Sequence, residues 1–289
     1  GDDEAADGQK GEEGQQSGVS QEEVLRMVMQ MQAYSRKLQE FQLIYAENDR
    51  MLFMRLEEWK RRDQDDKVEA ITELMAECTK GKGRIRAIQD KVDSGQLDAV
   101  KAEIEVEAER SALLRKKAEL VLMEELPTID GQEDFASKRV EELTGQIGAS
   151  RKELTQLLAG LEEKKAAWAQ TPDTQNLEAL GSLVNSVSGL DTDYEGLLSL
   201  LDEKNVSTQA IQYGKLLGKH DVFTQQVETA LAKEVGPTTA DLKKKADEEK
   251  KRAEEKKRRD EERKKSDSQI AKKKAEEDKK KAALAGAKK

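Results

Sequence analysis

The segment VLRMVMQMQAYSRKLQEFQLIYAENDRMLFMRLEEW carries the most regular hydrophobic pattern in the chain. Val24, Met31, Leu38, Tyr45, Leu52 and Trp59 recur at every seventh position, and Met27, Tyr34, Phe41, Asn48 and Arg55 follow the first five by three. Alternating steps of three and four return side chains to one face of a helix, so the pattern predicts a long helix with a coiled-coil a/d seam. These residues are the candidate assembly seam. Asn48 and Arg55 interrupt it; a polar residue there costs stability and fixes register or strand number. Ser20 with Glu23 has the form of a capping box and sets the expected helix start.

Beyond Trp59 the charged run KRRDQDDK shifts the phase, and Val68, Ile71, Leu74, Met75 and Cys78 resume a helical face. Two glycines in TKGKGR predict a hinge over 79–84, and DSGQ a second one over 93–96. The next helix carries Leu97, Val100, Ile104, Leu113, Leu114, Leu120, Val121 and Met123 on its expected core face, and ELPTIDGQ ends it. A second seam follows at Val140, Leu143, Ile147, Ser150, Leu154, Leu157, Leu161, Lys164 and Trp168. QTPDTQ and EKNVSTQ are short turns between further helices, with Asp173 or Thr174 and Ser207 or Thr208 as caps. Short turns make neighbouring helices antiparallel. Residues 127–236 therefore predict a three-helix antiparallel bundle that resembles a spectrin repeat, and residues 20–126 long coiled-coil helices. Residues 1–19, rich in Gly, Gln, Asp and Glu, predict a disordered acidic tail.

Composition agrees with an all-α reading. Charged residues make up 38% of the chain, aromatics 3%, and there are three prolines. Good helix formers dominate and no stretch alternates as a strand would. The expected fold class is an elongated coiled coil or antiparallel helical bundle followed by a charged single helix. No apolar run approaches the roughly 20 residues of a membrane span, and no signal peptide is visible. The single Cys78 excludes an internal disulfide and fits a reducing compartment, so the expected location is the cytoplasm, with a processed N-terminus left open. The net charge of −9 is unevenly spread: from Asp241 onward 21 Lys/Arg face 13 Asp/Glu, whereas the rest of the chain has 30 against 47. This asymmetry predicts charge-guided docking to another polymer or between copies of the chain, acidic N-terminal regions onto basic tails.

Candidate chemistry is sparse. His220 is the sole histidine, which excludes a multi-histidine metal site within one chain; it is expected on a solvated helix face. Cys78 is expected as a small buried hydrophobe. Gly214, Gly218 and Lys219 echo a phosphate-binding loop, but the spacing is one residue short and no strand precedes them. DTDYEGLLSLLD resembles the calcium loop of EF-hand proteins. That resemblance implies Asp191, Asp193, Glu195 and Ser199 as ligands, the Leu197 carbonyl beside them, and Asp202 closing the site. The competing reading is a helix restarting at Asp191. Apart from calcium there, no cofactor is expected.

The stretch LKKKADEEKKRAEEKKRRDEERKK pairs acids with bases four residues on: Asp247–Lys251, Glu248–Arg252, Glu254–Arg258, Glu255–Arg259, Asp260–Lys264 and Glu261–Lys265. Each such pair supports an isolated helix by about 0.2–0.5 kcal/mol. The stretch resembles the charged single helices of caldesmon-like and troponin T-like muscle proteins and of bacterial TolA-like spacers. Ser266–Ser268 should loosen it. The expectation is a non-enzymatic structural protein, a scaffold, rod or filament component that self-associates or joins another coiled-coil protein. The alternatives are an adaptor holding an acidic polymer (cytoskeletal filament, nucleic acid or anionic membrane) through its basic tail, and a calcium-responsive helical protein.

Overall fold

The computed structural model describes residues 19–131 and 133–286, and all regular structure among them is helical: α1 (Gln21–Lys60), α2 (Asp65–Asp93), α3 (Val100–Leu122), α4 (Glu133–Trp168), α5 (Thr174–Leu200), α6 (Val206–Ala232) and α7 (Thr239–Gly286). Nearly all of the expected acidic tail falls outside the described residues. The chain divides into two compact units. One takes the described residues up to Leu158 together with Asn185–Glu228; the other takes Ala159–Val184 and the residues from Thr229 on. The division runs through α4, α5 and α6.

In the first unit, α1 begins at the expected capping box: the Glu23 amide donates to Ser20 Oγ at 3.2 Å, and Glu23 Oε2 accepts the Ser20 amide at 3.0 Å. The charged run after α1 is a tight reversal. Asp63 takes a left-handed backbone (φ 52°), and the Asp63 and Gln64 amides close back on the carbonyls of Lys60 and Trp59. α2 ends in a Schellman motif: Gly95 has φ 77°, its amide reaches the Val92 carbonyl, and the Gln96 amide reaches that of Lys91.

α1, α2 and α3 share one core of Leu38, Phe41, Tyr45, Leu52, Trp59, Ile71, Cys78, Ile88, Val92, Val100 and Leu114 with their neighbours. Gln89 bonds Ser35 and Lys82 pairs with Asp49, so α1 and α2 run antiparallel; Lys91 with Glu103 and Lys117 with Glu77 set the same sense for α2 and α3. The expected hinge at 79–84 is not a break. α2 runs unbroken through it, and the ring of Tyr45 lies where a Cβ on Gly81 would stand. Glycine here admits an aromatic ring against the helix instead of loosening it.

The core face of α3 also differs from expectation. Leu113, Leu120 and Met123 are exposed, while Glu107, Ser111 and Ala118 are buried. The true seam, Val100, Ile104, Glu107, Ser111, Leu114 and Ala118, keeps the four-three rhythm, with the polar Glu107 and Ser111 and the small Ala118 at half of its positions.

In the second unit, Leu161, Trp168 and Leu180 are buried. Lys164 Nζ donates to the Leu231 carbonyl at 2.9 Å near the end of α6, and Asp173 caps α5 by accepting the Asn176 amide at 3.0 Å. α7 opens with Thr238 Oγ accepting the Asp241 amide at 3.1 Å. It continues through Ser266–Ser268, where loosening was expected, and all its residues from Asp241 to Ala285 are exposed. Serine costs only a few tenths of a kcal/mol in a helix, too little to end one flanked by strong helix formers. No described helix is long and apolar enough to cross a membrane.

Candidate interaction surfaces

The α1 seam divides into a buried part and an open part. Leu38, Phe41, Tyr45, Asn48, Leu52, Arg55 and Trp59 are buried within the chain, Met31 and Tyr34 partly so, and Val24 and Met27 are exposed. Most of the candidate assembly seam is thus used inside the chain, against α2 and α3. Asn48 is satisfied by its own helix, its Nδ2 donating to the Ile44 carbonyl at 2.8 Å; Arg55 donates to the Leu122 carbonyl at 2.6 Å.

Three buried polar clusters fix register in the first unit. Tyr45 donates to Glu107 Oε1 at 2.5 Å, and Arg84 forks onto the same carboxylate at 2.9 and 3.0 Å. Burial opposes ionisation of Glu107, but the Arg84 and Tyr45 hydrogen bonds outweigh it and hold the carboxyl below its usual range. Burial, with the Glu107 carboxylate beside it, pushes the Tyr45 hydroxyl well above its usual value. At the end of α1, Glu58 is 1% exposed and takes Arg62 at 2.9 Å and Arg61 at 3.1 Å, with Arg139 at 3.9 Å.

The third cluster surrounds His220. The expectation of a solvated histidine fails: His220 is 5% exposed. Its Nδ1 lies 3.1 Å from the Tyr194 hydroxyl and its Nε2 3.3 Å from Glu153 Oε2, while Tyr213 and Ser150 share a 2.9 Å hydrogen bond next to it. A neutral ring satisfies both contacts, accepting from Tyr194 and donating to Glu153. Burial lowers the His220 pKa in spite of Glu153 and Asp221.

The glycines of YGKLLGKHD have a mechanical role. A Cβ on Gly218 would stand closer than 3.0 Å to the backbone of Ala46 and Glu47, and one on Gly214 would stand 2.7 Å from the Arg50 carbonyl oxygen. α6 therefore crosses α1 with backbone nearly touching backbone. Arg50 forks onto Asp221 at 2.7 and 3.0 Å and Gln42 bonds Gln225 at 2.8 Å, so the pair is antiparallel.

The EF-hand-like residues are arranged as a helix. Asp191, Asp193, Glu195 and Ser199 lie within α5 and Asp202 just beyond it. Arg151 binds Asp191 at 2.8 Å and approaches Glu195 at 3.6 Å; Asp202 accepts the amide of Asn205, at the start of α6, at 2.8 Å. A calcium loop wraps its oxygens round the ion, whereas a helix directs them outward on different sides. No group of three or more metal-ligating residues converges among the described residues. Cys78 is fully buried, as expected, and burial pushes its thiol up to about 12.

Among the described residues, two helix faces remain apolar and open. Val24, Leu25, Met27, Val28 and Met29 are exposed at the start of α1, and Val106, Leu113 and Leu120 form an exposed stripe on α3 at intervals of seven. Along α7, Glu255 closes onto Arg259 at 2.6 Å, and Arg258 faces Glu262 at 3.9 Å. No protein-family model, curated protein or solved structure matches the chain.

Proposed function

We propose that this protein is a non-catalytic helical scaffold that self-associates through outward helix faces and carries α7 as a charged spacer. The observation that supports the reading most is the pair of exposed apolar faces, at the start of α1 and along α3. Both keep helical spacing and remain open after the seam of α1 has been buried inside the chain. Contiguous exposed apolar patches on helices mark interaction sites. The buried clusters around Glu107 and His220 fit a structural role, since their polar contacts join side chains of different helices.

As a single helix, α7 would extend about 70 Å at 1.5 Å per residue. Acid–base pairs on all its sides replace the core contacts it lacks. A second reading is favoured by its net positive charge and uniform exposure: α7 attaches the scaffold to an acidic polymer. Light scattering combined with small-angle scattering tests the first reading, which expects molar mass to rise with concentration above 32.4 kDa. A constant monomer mass would refute it. Co-sedimentation with an acidic filament, with and without the residues after Val235, tests the second; binding that survives the truncation would refute it.

A further inference from the structure

The open start of α1 and the cleft between α2 and α3 complement each other. On a 3.6-residue period, Val24, Leu25, Met27, Val28 and Met29 cover one broad face, Glu22 and Glu23 stand at its two edges, and Arg26 and Gln30 lie opposite. This is an amphipathic helix end whose apolar side has no cover: the five side chains are between 41% and 62% exposed. It continues the seam that α2 and α3 cover further along, and it overhangs them near Gly95.

The cleft between α2 and α3 comprises two cavities of about 460 and 300 Å³ that share Arg84 and Arg110 in their walls. Val106 and Leu113, exposed at 47% and 55%, line one cavity each. Its rim is basic. No acid occurs between Thr79 and Gln89 or between Arg110 and Ala118, and each run holds four basic residues. The acids along the cleft are engaged: Glu107 by Arg84 and Tyr45, Glu103 by Lys91 at 2.5 Å, Glu77 by Lys117 at 3.5 Å. Such a cleft fits an amphipathic helix with acidic flanks. The α1 start is one: up to Arg26 the chain has eight acidic residues against two basic.

We infer that the start of α1 of one copy docks in the α2–α3 cleft of a second copy, Leu25 and Val28 against Val106 and Leu113, with Glu22 and Glu23 facing Lys80 and Arg110. This rests on the self-association proposed above and names its two surfaces. Because they differ, the contact is head-to-tail and propagates from copy to copy. An anionic membrane would repel Glu22 and Glu23, and a nucleic acid held by the basic rim would leave Val106 and Leu113 uncovered.

The test is sedimentation velocity on the full chain over a concentration series, with circular dichroism verifying that each variant is folded. Leu25→Asp with Val28→Asp disables the head, and Val106→Asp with Leu113→Asp disables the cleft; all four sites are exposed. Each variant alone is expected to remain monomeric where the parent assembles. Their equimolar mixture is expected to form a dimer and stop there, since one brings an intact cleft and the other an intact head. Glu22→Lys with Glu23→Lys should weaken association about tenfold, and pairing with Lys80→Glu/Arg110→Glu chains should recover it. Assembly unchanged in the variants overturns the inference and leaves self-association standing, whereas a parent that is monomeric throughout defeats both. Monomers with no recovery on mixing also overturn it. So does an oligonucleotide that binds the parent but not Arg110→Glu, which would assign the cleft to nucleic acid.

Discussion

The crossing of α6 over α1 gives a prediction whose sign runs against helix propensity. Replacing glycine by alanine inside a helix ordinarily stabilises it by about 1 kcal/mol. At Gly218 the new methyl would meet the backbone of Ala46 and Glu47 closer than 3.0 Å. Backbone cannot rotate away as a side-chain tip can, so the two helices must separate, and overpacking of this kind costs about 1–3 kcal/mol. Separation also pulls on the Arg50–Asp221 fork and the Gln42–Gln225 bond. Set against the propensity gain, Gly218→Ala is therefore expected to destabilise the protein by up to about 2 kcal/mol net. Gly145 in α4 has nothing within 4 Å of its Cβ position, so Gly145→Ala should stabilise by up to about 1 kcal/mol. Urea unfolding followed by circular dichroism compares the two midpoints. If Gly218→Ala unfolds at the same urea concentration as Gly145→Ala, or later, α6 does not approach α1 this closely.

Other outcomes follow from the buried clusters. Glu107→Gln removes a buried carboxylate from Arg84 and Tyr45 and should cost about 3 kcal/mol in urea unfolding; because the folded pKa lies below the usual range, this contribution is present above the unfolded carboxylate pKa and lost as pH falls through the folded one. His220 acts in the same sense: burial lowers its pKa, so the unfolded chain binds the proton more tightly and stability falls as pH drops below about 6.5. Thermal melts of parent and His220→Gln between pH 7 and pH 5 should show the smaller acid-induced loss in the variant. Cys78, buried and with its thiol near 12, should react with a thiol reagent only as fast as the surrounding helices open, accelerating with urea. Calcium at millimolar concentration should produce no binding heat, since Arg151 holds Asp191 and α5 keeps its helical course.

The helical class was legible throughout the sequence, because a period near 3.6 needs only apolar residues at the right spacing. From Leu38 to Trp59 the heptad positions of α1 are buried for that reason, whereas Val24 and Met27, on the same pattern, are exposed. The seam of α3 was not readable in this way. Its core positions include Glu107 and Ser111, which look like solvent residues: the carboxylate's partners Arg84 and Tyr45 lie on other helices, and Ser111 bonds back to the Ala108 carbonyl. Glycine was the other source of error. Gly81 reads along the chain as a weak point and Gly218 as part of a phosphate-loop echo, but each marks where another element comes too close for a Cβ, and the neighbour that decides this lies 36 or 171 positions away in sequence. His220 was misjudged on the same ground, since its partners Tyr194 and Glu153 come from other helices. The two open apolar faces show the converse: the sequence displayed their hydrophobic residues, and only the structure separates them from the core.

The central claim is that the α1 seam is buried within each chain and that association uses the outer faces. Hydrogen–deuterium exchange of the full chain, at a dilution where it is monomeric and at a concentration where it assembles, tests this directly. Amides of residues 38–59 are expected to be equally protected in both samples, while those of 21–31 and 106–117 gain protection only in the concentrated one. Loss of protection over 38–59 on dilution would contradict the account, because it would place the seam between chains.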